Sequence, residues 1–171
     1  MRPARTDLVV TKWGARFHGR HIPCSVGRGG IRVAKKEGDG VSPAGFWRLV
    51  GGGFRPDRMV RLSSGLDLKL IGPNDIWSDD LADPDYNHHL RRRGYPFSHE
   101  SLRRSDPLYD IVLFSDWNWP QATPGKGSAI FVHIWRGPRR RTEGCVAFAR
   151  KDLLWILRRW SKQSRLFLRY E

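Results

Sequence analysis

The chain reads as a mainly β domain with one main helix, an α+β fold. Three observations predict this. The apolar runs are short and rich in β-branched and aromatic residues, as strands are. Glycine and proline, 18 and 11 of them in 171 residues, are spread along the chain and cut those runs to strand length. Helical spacing appears clearly only once, after Cys145.

Taken in order, Leu8–Lys12 and Arg16–Ile22 read as a hairpin turning at Gly14. The glycine-punctuated stretch GRGGIRVAKKEGDGVSPAGFWRLVGGGF holds a short strand at Phe46–Val50. LDLKLI, Leu66–Ile71, alternates apolar and polar residues, the period of a half-buried strand. Residues 72–107 show little periodicity and many turn residues; they read as a long insertion with one short helix after Ser98. YDIVLF and AIFVHI are continuous apolar runs suited to central strands. Leu153, Leu154, Leu157 and Trp160 recur at helical spacing, with Asp152 placed to complement the helix start, and RLFLRY closes the chain as a strand. The sum is a single domain over residues 1–171, mostly antiparallel, with the insertion at about 72–107.

The net charge is +14, from 31 basic and 17 acidic residues, which favours anionic partners such as nucleic acid, lipid surfaces or wall polymers. Arg91–Arg93 and Arg139–Arg141 concentrate the positive charge, while Asp75, Asp79, Asp80, Asp83 and Asp85 form an acidic run. No nucleic-acid motif accompanies the charge. No apolar run reaches membrane-spanning length, and the N-terminus lacks the apolar core of a secretory signal. Two cysteines make no disulfide framework, and no CxxC or HExxH spacing is present, so neither a metal nor another cofactor is expected.

HIWRGPRRRTEGCVAF, His133 to Phe148, concentrates the chemistry. A thiol reacts as thiolate, so a nucleophilic cysteine needs a base or positive charge close by. Cys145 follows Gly144, follows four arginines and precedes the helix, whose N-terminal end favours negative charge. His133 stands in an apolar strand, where histidine is an unusual choice. The plain alternatives are a packing cysteine and a satisfied core histidine. Cys24, in HIPCSVG, fits the packing role and is not expected to pair with Cys145.

The order histidine, loop, [ST]-x-G-C and helix resembles the catalytic stretch of the L,D-transpeptidases of YkuD type, cysteine enzymes that remodel peptidoglycan. His133, Thr142, Gly144, Cys145 and Val146 fall on that pattern. Upstream, GVSPAGFWRL resembles the family's Thr-Pro-x-Gly-x-Phe segment at Ser42, Pro43, Gly45 and Phe46, and GKGSAIFVHIW resembles the strand bearing the catalytic histidine. The resemblance implies a β-sandwich or barrel of mixed strands. It also implies a cysteine nucleophile at Cys145, His133 as its base, and an oxyanion site of backbone N–H groups around Gly144 and Cys145. A backbone carbonyl at Thr142 or Arg141 would orient His133. Donor and acceptor stem peptides are the implied partners, with carbapenem inhibition, a monomeric state and a periplasmic location. Two positions depart from the pattern: Glu143 replaces a histidine, and Ala147 replaces an arginine, leaving Arg136, Arg141 or Arg150 to supply the substrate-binding charge. The short loop after His133 and the long middle resemble a compact proteobacterial branch, similar to enzymes that join L-alanine to diaminopimelate, a first-to-third linkage. A sortase-like enzyme, an L,D-carboxypeptidase and a basic polyanion-binding module are the alternative readings.

Overall fold

A computed structural model describes residues 2–60 and 62–170. The strands are β1 (Leu8–Thr11), β2 (Gly14–Phe17), β3 (Arg20–Ile22), β4 (Cys24–Ser25), β5 (Ile31–Arg32), β6 (Ser42–Pro43), β7 (Gly45–Trp47) and β8 (Leu49–Phe54). They continue with β9 (Leu68–Leu70), β10 (Asp75–Ser78), β11 (His89–Arg91), β12 (His99–Ser101), β13 (Ile111–Ser115), β14 (Phe131–Ile134) and β15 (Val146–Phe148). Helix α1 (Arg150–Leu157) and β16 (Leu166–Leu168) close the chain. Among the described residues no helix is long and apolar enough to cross a membrane.

The strands stack as layers. One sheet runs β3-β2-β1-β16-β7 and a second runs β4-β15-β14-β13-β8-β9; a third, β11-β10-β12, is built by the insertion. Alternation along β13 and β14 explains why both strands are apolar throughout. Ile111, Leu113, Val132 and Ile134 join the main core with Leu8, Phe17, Leu166 and the helix residues Leu153, Ile156 and Leu157. Val112, Phe114 and Phe131 point the other way and pack with Trp77, Leu102 and Tyr109 under the insertion. Burying a large apolar side chain such as Phe131 contributes about 1.5–3 kcal/mol, so the insertion is anchored by real packing. Gly53 permits this layer: a Cβ there would lie 2.6 Å from Ile71 Cγ1.

Several expectations change. The first hairpin turns at Lys12 and Trp13, and Arg16–Ile22 divides into β2 and β3. The helix expected after Ser98 is instead strand β12, antiparallel to β10. The pairing stays mostly antiparallel and mixed, with β1–β16, β5–β6, β8–β9 and β14–β15 parallel. None of these sheets closes into a barrel. Two members of the acidic run, Asp75 and Asp83, are internal scaffolding. Buried Asp75 accepts from Gly72 N, Arg91 and His89, and Asp83 binds the hydroxyls of Ser78 and Tyr95. Asp152 complements the start of α1 as expected, buried in its first turn without a side-chain cap, and accepts from Arg20 Nη2 at 2.9 Å.

Candidate active site

β14 and β15 are parallel neighbours, with His133 paired to Ala147. Phe131 and His133 share the face toward the insertion, and Cys145, just before β15, packs against the same side. His133 and Cys145 both line a cavity of about 370 Å³. Cys24, on β4 beside Phe148, packs against the main core instead. Both thiols are free.

Thr142, Gly144 and Cys145 form a tight turn. Thr142 Oγ1 donates to Cys145 O at 2.6 Å and accepts from Gly144 N at 3.2 Å. Gly144 has φ +135°, and a Cβ there would stand 2.8 Å from Val41 O, so both backbone shape and space demand glycine. Ser42 Oγ donates to Gly144 O at 2.7 Å, which fixes the turn to β6. With Gly144 N already engaged, Cys145 N is the donor left without a protein acceptor among the described residues.

The Cys145 thiol donates to Ala129 O at 3.1 Å and receives Phe131 N at 3.4 Å. Burial pushes its pKa up to about 12. The helix dipole does not offset this, because β15 and Ala149 separate Cys145 from α1. His133 is 4% exposed, and burial lowers its pKa to about 4. Its Nδ1 lies 2.8 Å from Ile134 O. A carbonyl can only accept, so Nδ1 carries the proton and Nε2 is the basic nitrogen. The orienting carbonyl is therefore that of Ile134, next in the strand, rather than that of Thr142 or Arg141. No hydrogen bond joins Cys145 to His133 among the described residues; the resting pair is a neutral thiol and a neutral imidazole sharing one cavity.

The expected arginines divide. Arg136 and Arg141 line the cavity, and Arg141 Nη1 also donates to Arg28 O at 3.0 Å. Arg150 is absent from the lining; it pairs with the buried carboxylate of Asp110, which also holds Arg58. Its place at the start of α1 turns it to Asp110, outside the cavity that holds Cys145 and His133. Ala147 is fully buried on the ladder beside His133. Glu143 pairs with Arg28 at 2.7 Å, an exposed contact of little energetic weight.

Lys35, Glu100, Arg104 and Tyr109 are among the cavity residues that escaped the sequence reading. Lys35 has a side chain only 2% exposed and is held by Asp39 at 2.7 Å. Arg104 clasps Asp106 and lies over the Tyr109 ring at 5.1 Å. Tyr109 stands edge-on to His133 with ring centroids 5.2 Å apart and donates its hydroxyl to Glu100 at 2.8 Å. Burial raises the pKa of both Tyr109 and Glu100. No local sequence signal marks these residues, which come from loops and the insertion.

A thiol, an imidazole with a free Nε2, a spare backbone donor and charged walls of both signs suit acyl transfer through a cysteine. No curated protein and no solved structure matches the chain. The family model of the L,D-transpeptidase catalytic domain, YkuD, matches residues 3–167. The chain therefore belongs to the YkuD family of L,D-transpeptidase catalytic domains.

Proposed function

We propose that the protein is a peptidoglycan L,D-transpeptidase acting through an acyl-enzyme on Cys145. The observation that carries this reading is the opening of Cys145 and His133 into one cavity, with Nδ1 of the imidazole fixed so that Nε2 is the base. The donor stem's carbonyl carbon is attacked by sulfur as the S–H proton passes to Nε2. Cys145 N stabilises the oxyanion; the C–N bond breaks, and His133 returns the proton to the leaving amine. A thioester remains. An acceptor amine then attacks it, restoring the thiol and forming the cross-link, whereas water would give hydrolysis.

Both neutral resting states are compatible with this scheme. Proton transfer is coupled to attack, so a preformed ion pair is not required, and catalytic hydrogen bonds often tighten only with substrate bound. The thiol must leave Ala129 O to meet Nε2. Arg136, Arg140 and Arg141 present positive charge to the carboxylates of a stem peptide. The resemblance extends the proposal to a monomer working in the periplasm, open to carbapenem acylation, and joining L-alanine to diaminopimelate. Incubation with purified muropeptides, with products identified by mass spectrometry, tests it. Cross-linked dimers support transpeptidation, shortened monomers alone indicate a carboxypeptidase, and unchanged substrate contradicts both.

A further inference from the structure

We propose that Glu100, carried into the cavity by β12 of the insertion, receives the cationic amine of the acceptor stem peptide. This rests on the transpeptidase reading and names the residue that chooses its second substrate. Glu100 lines the same cavity as Cys145 and His133, and its side chain is 28% exposed. Its Oε1 accepts Tyr109 Oη at 2.8 Å and Arg104 Nη1 at 3.4 Å, while Oε2 has no protein donor among the described residues.

Arg104 pairs with Glu100 only through one long contact of 3.4 Å. The guanidinium makes its two short contacts, 2.9 and 2.7 Å, with Asp106. Asp79 lines the same cavity and adds like charge, so the insertion brings two carboxylates beside Arg104 to this wall, while the facing loop carries three arginines, Arg136, Arg140 and Arg141, with Glu143. A half-buried carboxylate with weak compensation is costly unless a cation joins it. The donor's carboxylates match the arginines; an acceptor arriving as an ammonium matches Glu100. Tyr109 fixes the geometry, because it bonds Glu100 and lies edge-on to His133. A docked ammonium is thus held near the base that the second half-reaction needs.

The step balances. The ammonium gives one proton to the Glu100 carboxylate, which passes it to solvent. The amine's lone pair forms the new C–N bond as the C–S bond breaks, and its second proton passes through His133 to the Cys145 sulfur.

The test begins with acyl-enzyme formed from a muropeptide donor in the wild type, Glu100→Gln and Glu100→Asp. Each is then offered a diaminopimelate-containing stem peptide, or hydroxylamine, which is uncharged at neutral pH. In Glu100→Gln, capture by the stem peptide relative to capture by hydroxylamine should fall about tenfold or more, the scale of one charge-assisted hydrogen bond. Glu100→Asp, which keeps the charge, should retain most of that preference. An unchanged ratio in Glu100→Gln, or Asp and Gln variants that behave alike, would overturn the assignment. A wild type that forms no acyl-enzyme would instead refute the transpeptidase reading beneath it.

Discussion

His133 Nδ1 is bound at 2.8 Å to the carbonyl oxygen of Ile134, its own neighbour along β14. The strand that positions the imidazole therefore also fixes its tautomer, without a carboxylate partner. The lack of a carboxylate leaves burial dominant, and the pKa falls to about 4 from the usual 6.5.

That shift predicts a pH dependence of stability. The unfolded chain takes up this proton before the folded one does, so the contribution is complete above about pH 6.5 and is lost as pH falls through about 4. The span corresponds to about 3 kcal/mol. Chemical denaturation of the wild type and His133→Gln across that window should show a shallower decline in the variant. Equal slopes would mean that His133 is not buried as a neutral ring.

Thr142 joins Cys145 O and Gly144 N through one hydroxyl. Thr142→Val keeps the shape and removes both bonds, so donor acylation should slow about tenfold or more, as expected for loss of one to two hydrogen bonds at a reacting turn. Thr142→Ser should recover most of the rate. Single-turnover acylation measures both.

Gly144→Ala places a Cβ 2.8 Å from Val41 O at φ +135°. The strained backbone should cost about 1–3 kcal/mol in a denaturation midpoint and misplace Cys145 N, with acyl transfer falling further than stability does. A fully active variant would show that the turn relaxes freely.

The arginines should separate by role. Replacing Arg140 and Arg141 by serine should lower turnover and weaken the salt-sensitive association with sacculi, since both line the cavity. Arg150→Gln should instead lower stability with little change in KM, because Arg150 serves Asp110. A KM effect from Arg150 alone would reverse this division.

Much of this was readable before the structure. YDIVLF and AIFVHI announced β13 and β14 because strands buried on both faces need no alternation. Leu153, Leu154 and Leu157 mark the helix, which ends before Trp160, and the His-loop-Gly-Cys order marks the turn that holds Cys145. What stayed hidden depended on distant partners. β12 is mostly exposed and carries no strand periodicity; pairing with β10 makes it a strand. Glu100 reaches the cavity on that strand and Arg104 just after it, while Lys35 comes from the loop between β5 and β6. The supposed help of the helix to the thiol failed because β15 intervenes, a separation that spacing alone did not reveal.

The central claim is that Cys145 is the acyl-carrying nucleophile. Burial holds the two thiols at similar values, each near a pKa of about 12, so ionisation alone does not distinguish them. Cys145 shares a cavity with the His133 imidazole, whereas Cys24 packs against the main core. The deciding measurement is peptide mapping by mass spectrometry after brief incubation with a muropeptide donor, on the wild type, Cys24→Ala and Cys145→Ala. The account predicts an acyl adduct on the peptide containing Cys145 in the wild type and in Cys24→Ala, and none in Cys145→Ala. An adduct on Cys24, or acyl transfer that survives in Cys145→Ala, would contradict it.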